Sequence, residues 1–197
     1  MKKLYIIIFI LFYTLTFAQS SSMKMSAFSI NTGLFIPYSS TVFNSGAILG
    51  LGIQHKINNA NLIMDLNYNF SSRQEIKPNV YYKNTSGTGV LEFSGGVRIF
   101  FAQNNSLKYF FDLGLGFYME NKGSYEIITS GNPPSKHISE SNTTVGGHIA
   151  VGADYPLNND LDLVGKVNYH LYFGVGDDPF LNPYFNISAG LKYHFNF

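Results

Sequence analysis

The chain is 197 residues long and nearly balanced in charge, with 13 Lys and Arg against 12 Asp and Glu. It has no Cys and no Trp but carries 14 Tyr and 18 Phe. That composition excludes a disulfide scaffold and a thiolate metal site, and it leaves no basic footprint for nucleic acid.

The first residues have the layout of a secretory signal peptide. Lys2 and Lys3 precede an apolar run from Leu4 to Phe17, and Thr16-Phe17-Ala18 supplies small residues for cleavage before Gln19. The run is shorter than the roughly 20 residues that a helix needs to span a bilayer. Residues 1–18 are therefore expected to be a cleaved leader, and 19–197 a single domain.

Beyond the leader, apolar residues recur with period two and not at i, i+3, i+4, which predicts strands without long amphipathic helices. Strands are expected near 27–37, 46–57, 61–73, 88–102, 107–120, 143–156, 160–174 and 184–197. Most exceed the roughly 9–11 residues with which a tilted strand crosses a bilayer. Three connections are short and rich in Asn: Asn58-Asn59-Ala60, Gln103-Asn104-Asn105-Ser106 and Leu157-Asn158-Asn159. They suit tight reversals. The other four, Tyr38–Ser45, Gln74–Gly87, Asn121–Asn142 and Val175–Pro183, read as long loops. In an up-and-down meander alternate connections share one end, so the short turns gather at one end and the long loops at the other.

The polar side of these strands carries Gly33, Gly50, Gly52, Gly96, Gly114, Gly116, Gly146, Gly152 and Gly190. Glycine gains nothing on a solvated outer surface, but it fits the narrow lumen of an eight-stranded barrel. The polar side is therefore assigned to the interior and the apolar side to lipid. Aliphatic residues such as Leu49, Leu113 and Val151 hold the strand middles. Phe101, Tyr109, Tyr155, Phe195 and Phe197 mark one membrane interface, and Phe70, Phe117, Phe173 and Phe185 the other. The expected fold is all-β, an eight-stranded antiparallel up-and-down transmembrane β-barrel.

The inward set holds Lys56, Arg98, Lys108, Lys166 and Lys192 against Asp65, Glu92, Asp112, Asp154 and Asp162, joined by His148, His170 and His194. Unpaired buried charge is costly, so these residues are expected to form an ion-pair network that plugs the lumen. With Gln103 facing Leu107 across its turn, Arg98 falls opposite Asp112. A narrow ion or proton path through His148, His170 and Asp112 is the alternative.

The last strand alternates strictly: Ile187, Ala189, Leu191, Tyr193, Phe195 and Phe197 on one side, Ser188, Gly190, Lys192, His194 and Asn196 on the other. With the leader and the meander, this aromatic terminal strand resembles the small OmpA/OmpX-type outer-membrane barrels over the whole segment 19–197. The resemblance implies an integral protein of the bacterial outer membrane, surrounded by lipid and lipopolysaccharide. It implies that Tyr193, Phe195 and Phe197 are read by the barrel-insertion machinery. It also implies a non-enzymatic role in envelope structure, adhesion or binding through extracellular loops. An outer-membrane or extracellular protein is the expected partner, with the chain acting alone or as an accessory subunit of a larger assembly. Tyr81, Tyr82, Tyr125, Ile127 and Ile128 are the apolar loop residues expected to make such contacts.

His137-Ile138-Ser139-Glu140 resembles the His-x-Ser element of lipid A deacylase barrels at His137 and Ser139 alone, and Glu140-Ser141 stands where that family has Asn-Ala. Neighbours on an extended chain point apart, so Ser139 and Glu140 cannot both face His137 without a turn. No His/Cys cluster has zinc spacing, and Gly114-Leu115-Gly116 has no helix behind it to make a phosphate loop. No catalytic residue, cofactor or metal site is assigned. Asp177-Asp178 before Pro179 reads as a turn, with a divalent cation on lipopolysaccharide phosphates as the alternative.

Overall fold

The computed structural model describes residues 26–38, 43–57, 60–72, 76–77, 80–84, 87–103, 107–129, 131–173 and 183–195. The proposed leader, Phe197 and the Asp177-Asp178 pair lie outside the described residues. In chain order the strands are β1 Ser26–Pro37, β2 Gly46–Ile57, β3 Ala60–Ser71, β4 Ile76–Lys77, β5 Val80–Asn84 and β6 Thr88–Gln103. They continue with β7 Lys108–Lys122, β8 Tyr125–Thr129, β9 Ser135–His137, β10 Glu140–Pro156, β11 Leu161–Tyr172 and β12 Tyr184–Phe195.

Eight of these close into an antiparallel barrel in the order β1-β12-β11-β10-β7-β6-β3-β2. The seam joins first strand to last, with Ile30 opposite Leu191 and Leu34 opposite Ile187. Closure leaves no strand edge, which is what allows a sheet to exist in a medium that offers no hydrogen bonds.

The period-two pattern sets the two surfaces. Leu49, Leu113, Leu115, Phe117, Val151, Leu171 and Tyr193 point outward, and Leu115 is 76% exposed. In water such a surface would aggregate; facing acyl chains it is the solvated state. The inward residues include Asp65, Glu92, Asp112 and Asp154, all buried. Inward glycines let neighbouring side chains fill the bore: a Cβ at Gly152 would collide with the Phe110 ring, and one at Gly50 with the Asn31 and Asn67 amides.

Three features differ from the sequence reading. First, the connections 74–87 and 121–142 are not plain loops, because β4, β5, β8 and β9 pair into a separate four-stranded sheet beyond the barrel. Val80-Tyr81-Tyr82 and Tyr125-Glu126-Ile127-Ile128-Thr129 are β-branched and aromatic runs, and each satisfies the other's backbone. Second, Gln103 faces Lys108 and not Leu107, with a bulge between Phe100 and Ala102. The bulge takes up the extra residue, so Arg98 still lies opposite Asp112. Third, the bore is not polar throughout. Phe35, Phe43, Val90, Tyr118, Tyr172 and Tyr184 form a buried cluster toward the long connections.

Candidate functional site in the barrel lumen

The half of the lumen nearest the short turns is ionic. Arg98 makes a two-pronged contact with Asp112, Nε to Oδ1 and Nη2 to Oδ2, each 2.8 Å. Its Nη1 donates to Gln54 Oε1 at 3.3 Å and lies 3.9 Å from Asp154 Oδ1. The guanidinium also sits over the Phe110 ring, 3.5 Å from its centroid, where the π face attracts a cation. Lys192 bridges Asp154 and Asp162, and His194 Nε2 is 2.7 Å from Asp162 Oδ2. Lys166 lies 3.2 Å from Asp65. These pairs connect residues on β3, β6, β7, β10, β11 and β12, so they tie the barrel across its bore and not only along neighbouring strands. A small cavity of about 20 Å³ among Ser29, Asn31, Asp65, Arg98, Lys166 and Lys192 has room for a water molecule.

At mid-height the lining changes. Glu92, on β6, is fully buried and accepts from Ser94 Oγ at 2.7 Å, Asn67 Nδ2 at 3.2 Å and Tyr184 Oη at 3.3 Å. Two imidazoles face it: His170 Nδ1 at 3.4 Å from Oε2 and His148 Nδ1 at 3.8 Å from Oε1. His148 and His170 are direct partners across β10 and β11. His148 reaches Glu92 because β7, which lies between their strands, offers only glycine there; a Cβ at Gly114 would strike the His148 ring. Tyr118 Oη is 3.4 Å from His170 Nδ1, and Asn186 Nδ2 is 3.3 Å from His170 Nε2.

Above this cluster the apolar residues close the bore. Tyr118 stacks on Tyr172 with centroids 5.0 Å apart, Tyr184 stacks on His170 at 4.4 Å, and Phe35 meets Tyr184 edge-on at 5.0 Å. The lumen is thus lined by ion pairs below and mainly by rings above, with Glu120 and Lys122 buried beyond Tyr118.

The inward residues named from the sequence divide as follows. Asp65, Glu92, Arg98, Asp112, His148, Asp154, Lys166, His170 and Lys192 are all buried in the bore. Lys56 is exposed instead, a correction: its inward parity holds, but it lies one residue from the end of β2, where the barrel wall stops covering it. Lys108, the first residue of β7, is half-buried at the same rim, opposite Asp154. Glu120 and Lys122 are buried further along β7 and went unassigned, as did Tyr118, Tyr172 and Tyr184. Their signal was present: each shares the parity of an assigned inward residue on its own strand, Tyr118 with Asp112 and Tyr172 with His170.

On the loop sheet Tyr81 lies opposite Ile128 and Tyr82 opposite Ile127. Tyr125 is buried, because its ring stacks on His137 with centroids 4.6 Å apart and planes 3° from parallel. That stacking commits His137 to a structural contact, and Ser139 and Glu140 are exposed beside it. At the last strand, Tyr193 points to lipid, 53% exposed, and Phe195 is half-buried.

A closed barrel with an apolar exterior and a filled polar bore is the architecture of an outer-membrane protein, and the profile of the outer membrane protein beta-barrel domain matches residues 7–195. The chain belongs to that family. It resides in the outer membrane. Among solved structures it is similar to Neisserial surface protein A, with a TM-score of 0.60 and 15% identity over 86% of this chain and 97% of that one. OprG of Pseudomonas aeruginosa matches with a TM-score of 0.54 and 12% identity, over 89% and 99% of the two chains. Ail, the attachment invasion locus protein of Yersinia pestis, matches with a TM-score of 0.52 and 11% identity, over 88% and 100%. At such identities the likeness is one of fold. No curated protein sequence matches the chain.

Proposed function

We propose that this outer-membrane barrel acts without turnover, as a plugged scaffold that presents its loop sheet to a protein partner at the cell surface. The observation that carries this reading is the pairing of β5 with β8. It converts two long connections into one ordered platform, anchored to the barrel where Gly123 N donates to Thr88 Oγ1 at 3.1 Å. An ordered surface loses less entropy on binding than a floppy loop. Residues 1–18 serve as the export leader in this reading, and Tyr193, Phe195 and Phe197 serve the insertion machinery. Lipid and lipopolysaccharide surround the barrel wall.

The test is site-specific photo-crosslinking from position 127 in intact cells, paired with Tyr81→Asp and Ile128→Asp. One saturable adduct on a defined outer-membrane or extracellular protein, lost in the Asp variants while the barrel still inserts, supports the reading. If a barrel with 124–139 replaced by a short turn restored every phenotype of a deletion strain, the platform would have no role.

A further inference from the structure

Glu92 differs from Asp65, Asp112, Asp154 and Asp162 in how its charge is met. Asp112 has Arg98, Asp65 has Lys166, and Asp154 and Asp162 share Lys192. Among the described residues Glu92 pairs with no Lys or Arg; its partners are Asn67, Ser94, Tyr184 and two imidazoles. A buried carboxyl met only by neutral groups either keeps a proton or gains a cation.

We propose that Glu92, His148 and His170 form a binding site for one divalent first-row transition ion of the zinc or copper type. One ligand atom from each residue lies within 4.8 Å of the other two, and all three residues are buried. Donors around such an ion stand about 3–4 Å apart, as bond lengths near 2.0–2.2 Å require, so small side-chain rotations complete the set. Two imidazoles and one carboxylate suit ions that prefer nitrogen, and they disfavour calcium or magnesium, which take oxygen.

Two further details point the same way. His148 Nδ1 is buried and has no hydrogen-bond partner among the described residues, so it is available to coordinate. His170 would coordinate through Nδ1, the nitrogen facing Glu92, and its Nε2 must then carry a proton. Asn186 sits 3.3 Å from that Nε2, and its Oδ1 is buried without a hydrogen bond. Turning the amide over lets Oδ1 accept from Nε2–H, the usual outer support of a metal-bound imidazole. With the rings above and the ion pairs below, the ion enters as the barrel closes and leaves slowly.

The full chain is refolded into detergent micelles with Cu²⁺ or Zn²⁺, desalted, and assayed for retained metal and for its electron paramagnetic resonance spectrum. One equivalent retained, with two nitrogen ligands visible in the copper spectrum, is the expected result. His148→Ala and Glu92→Gln should lose retention, and Asn186→Ala should weaken affinity about 10–100-fold. A His55→Ala/His137→Ala double variant, which removes histidines outside the bore, should bind like the wild type. Heat-modifiable gel mobility confirms that each variant folds, and the wild-type spectrum decides the matter if one does not. No metal retained after refolding, a spectrum without two nitrogens, or retention lost in the double variant overturns the site. None of these results bears on the loop-sheet proposal.

Discussion

The two halves of the bore share one eight-stranded wall but are filled mainly in different ways. Toward the turns, Arg98, Lys166 and Lys192 satisfy Asp65, Asp112, Asp154 and Asp162 across the lumen. Toward the loops, Phe35, Tyr118, Tyr172 and Tyr184 pack ring against ring. The ionic half depends on complete pairing, since each charge is costly once its partner goes. The aromatic half depends on volume, and its hydroxyls are secondary. An eight-stranded barrel therefore does not require a wholly polar core; it requires one that is filled, whether by ion pairs or by rings.

The largest effect that would break this comparison comes from Arg98→Ala. It leaves Asp112 buried and unpaired, and about 3–5 kcal/mol of stability should be lost, read by urea unfolding in lipid vesicles. Arg98→Met combined with Asp112→Leu should recover most of that loss; if the double variant is as unstable as the single, pairing is not what the ionic half depends on. Next come the glycines. Gly114→Val forces a side chain into the His148 ring and should cost about 1–3 kcal/mol. Gly165→Ala meets nothing within 4 Å and should be neutral or stabilising by up to about 1 kcal/mol. Equal destabilisation at both would refute the view that close approach fixes the inward glycines. Smaller still, Tyr118→Phe keeps the ring and removes one contact to His170, so about 0.5–1.5 kcal/mol is expected. Smallest of all is Ser139→Ala, for which mass spectrometry of lipid A should show no change.

Much of this was legible because a strand has only two faces. Once Gly96 and Asp112 are assigned inward, parity assigns Arg98, Gly114 and Tyr118 without further information. Tyr118 and Tyr172 follow that parity into the bore, although an aromatic residue in a membrane strand is ordinarily expected at the lipid interface. Lys56 shows the converse limit: parity says which way a side chain leaves the strand, not whether the barrel wall continues past it. The loop sheet was hidden for another reason. Val80-Tyr81-Tyr82 and Tyr125–Thr129 belong to different connections, and neither run is a stable strand until the other is beside it.

The sequence by itself determined the all-β class, the number of barrel strands and the face each residue presents, because a period of two is a local property of the backbone. Tertiary structure alone decided what meets across the bore. Glu92, His148 and His170 come from three strands and have no spacing that signals a site; the closed barrel brings them together. Lys166 reaches Asp65 from a strand that does not neighbour it in the sheet. Contacts across a lumen follow from closure and shear, which are properties of the whole sheet and are written in no single segment.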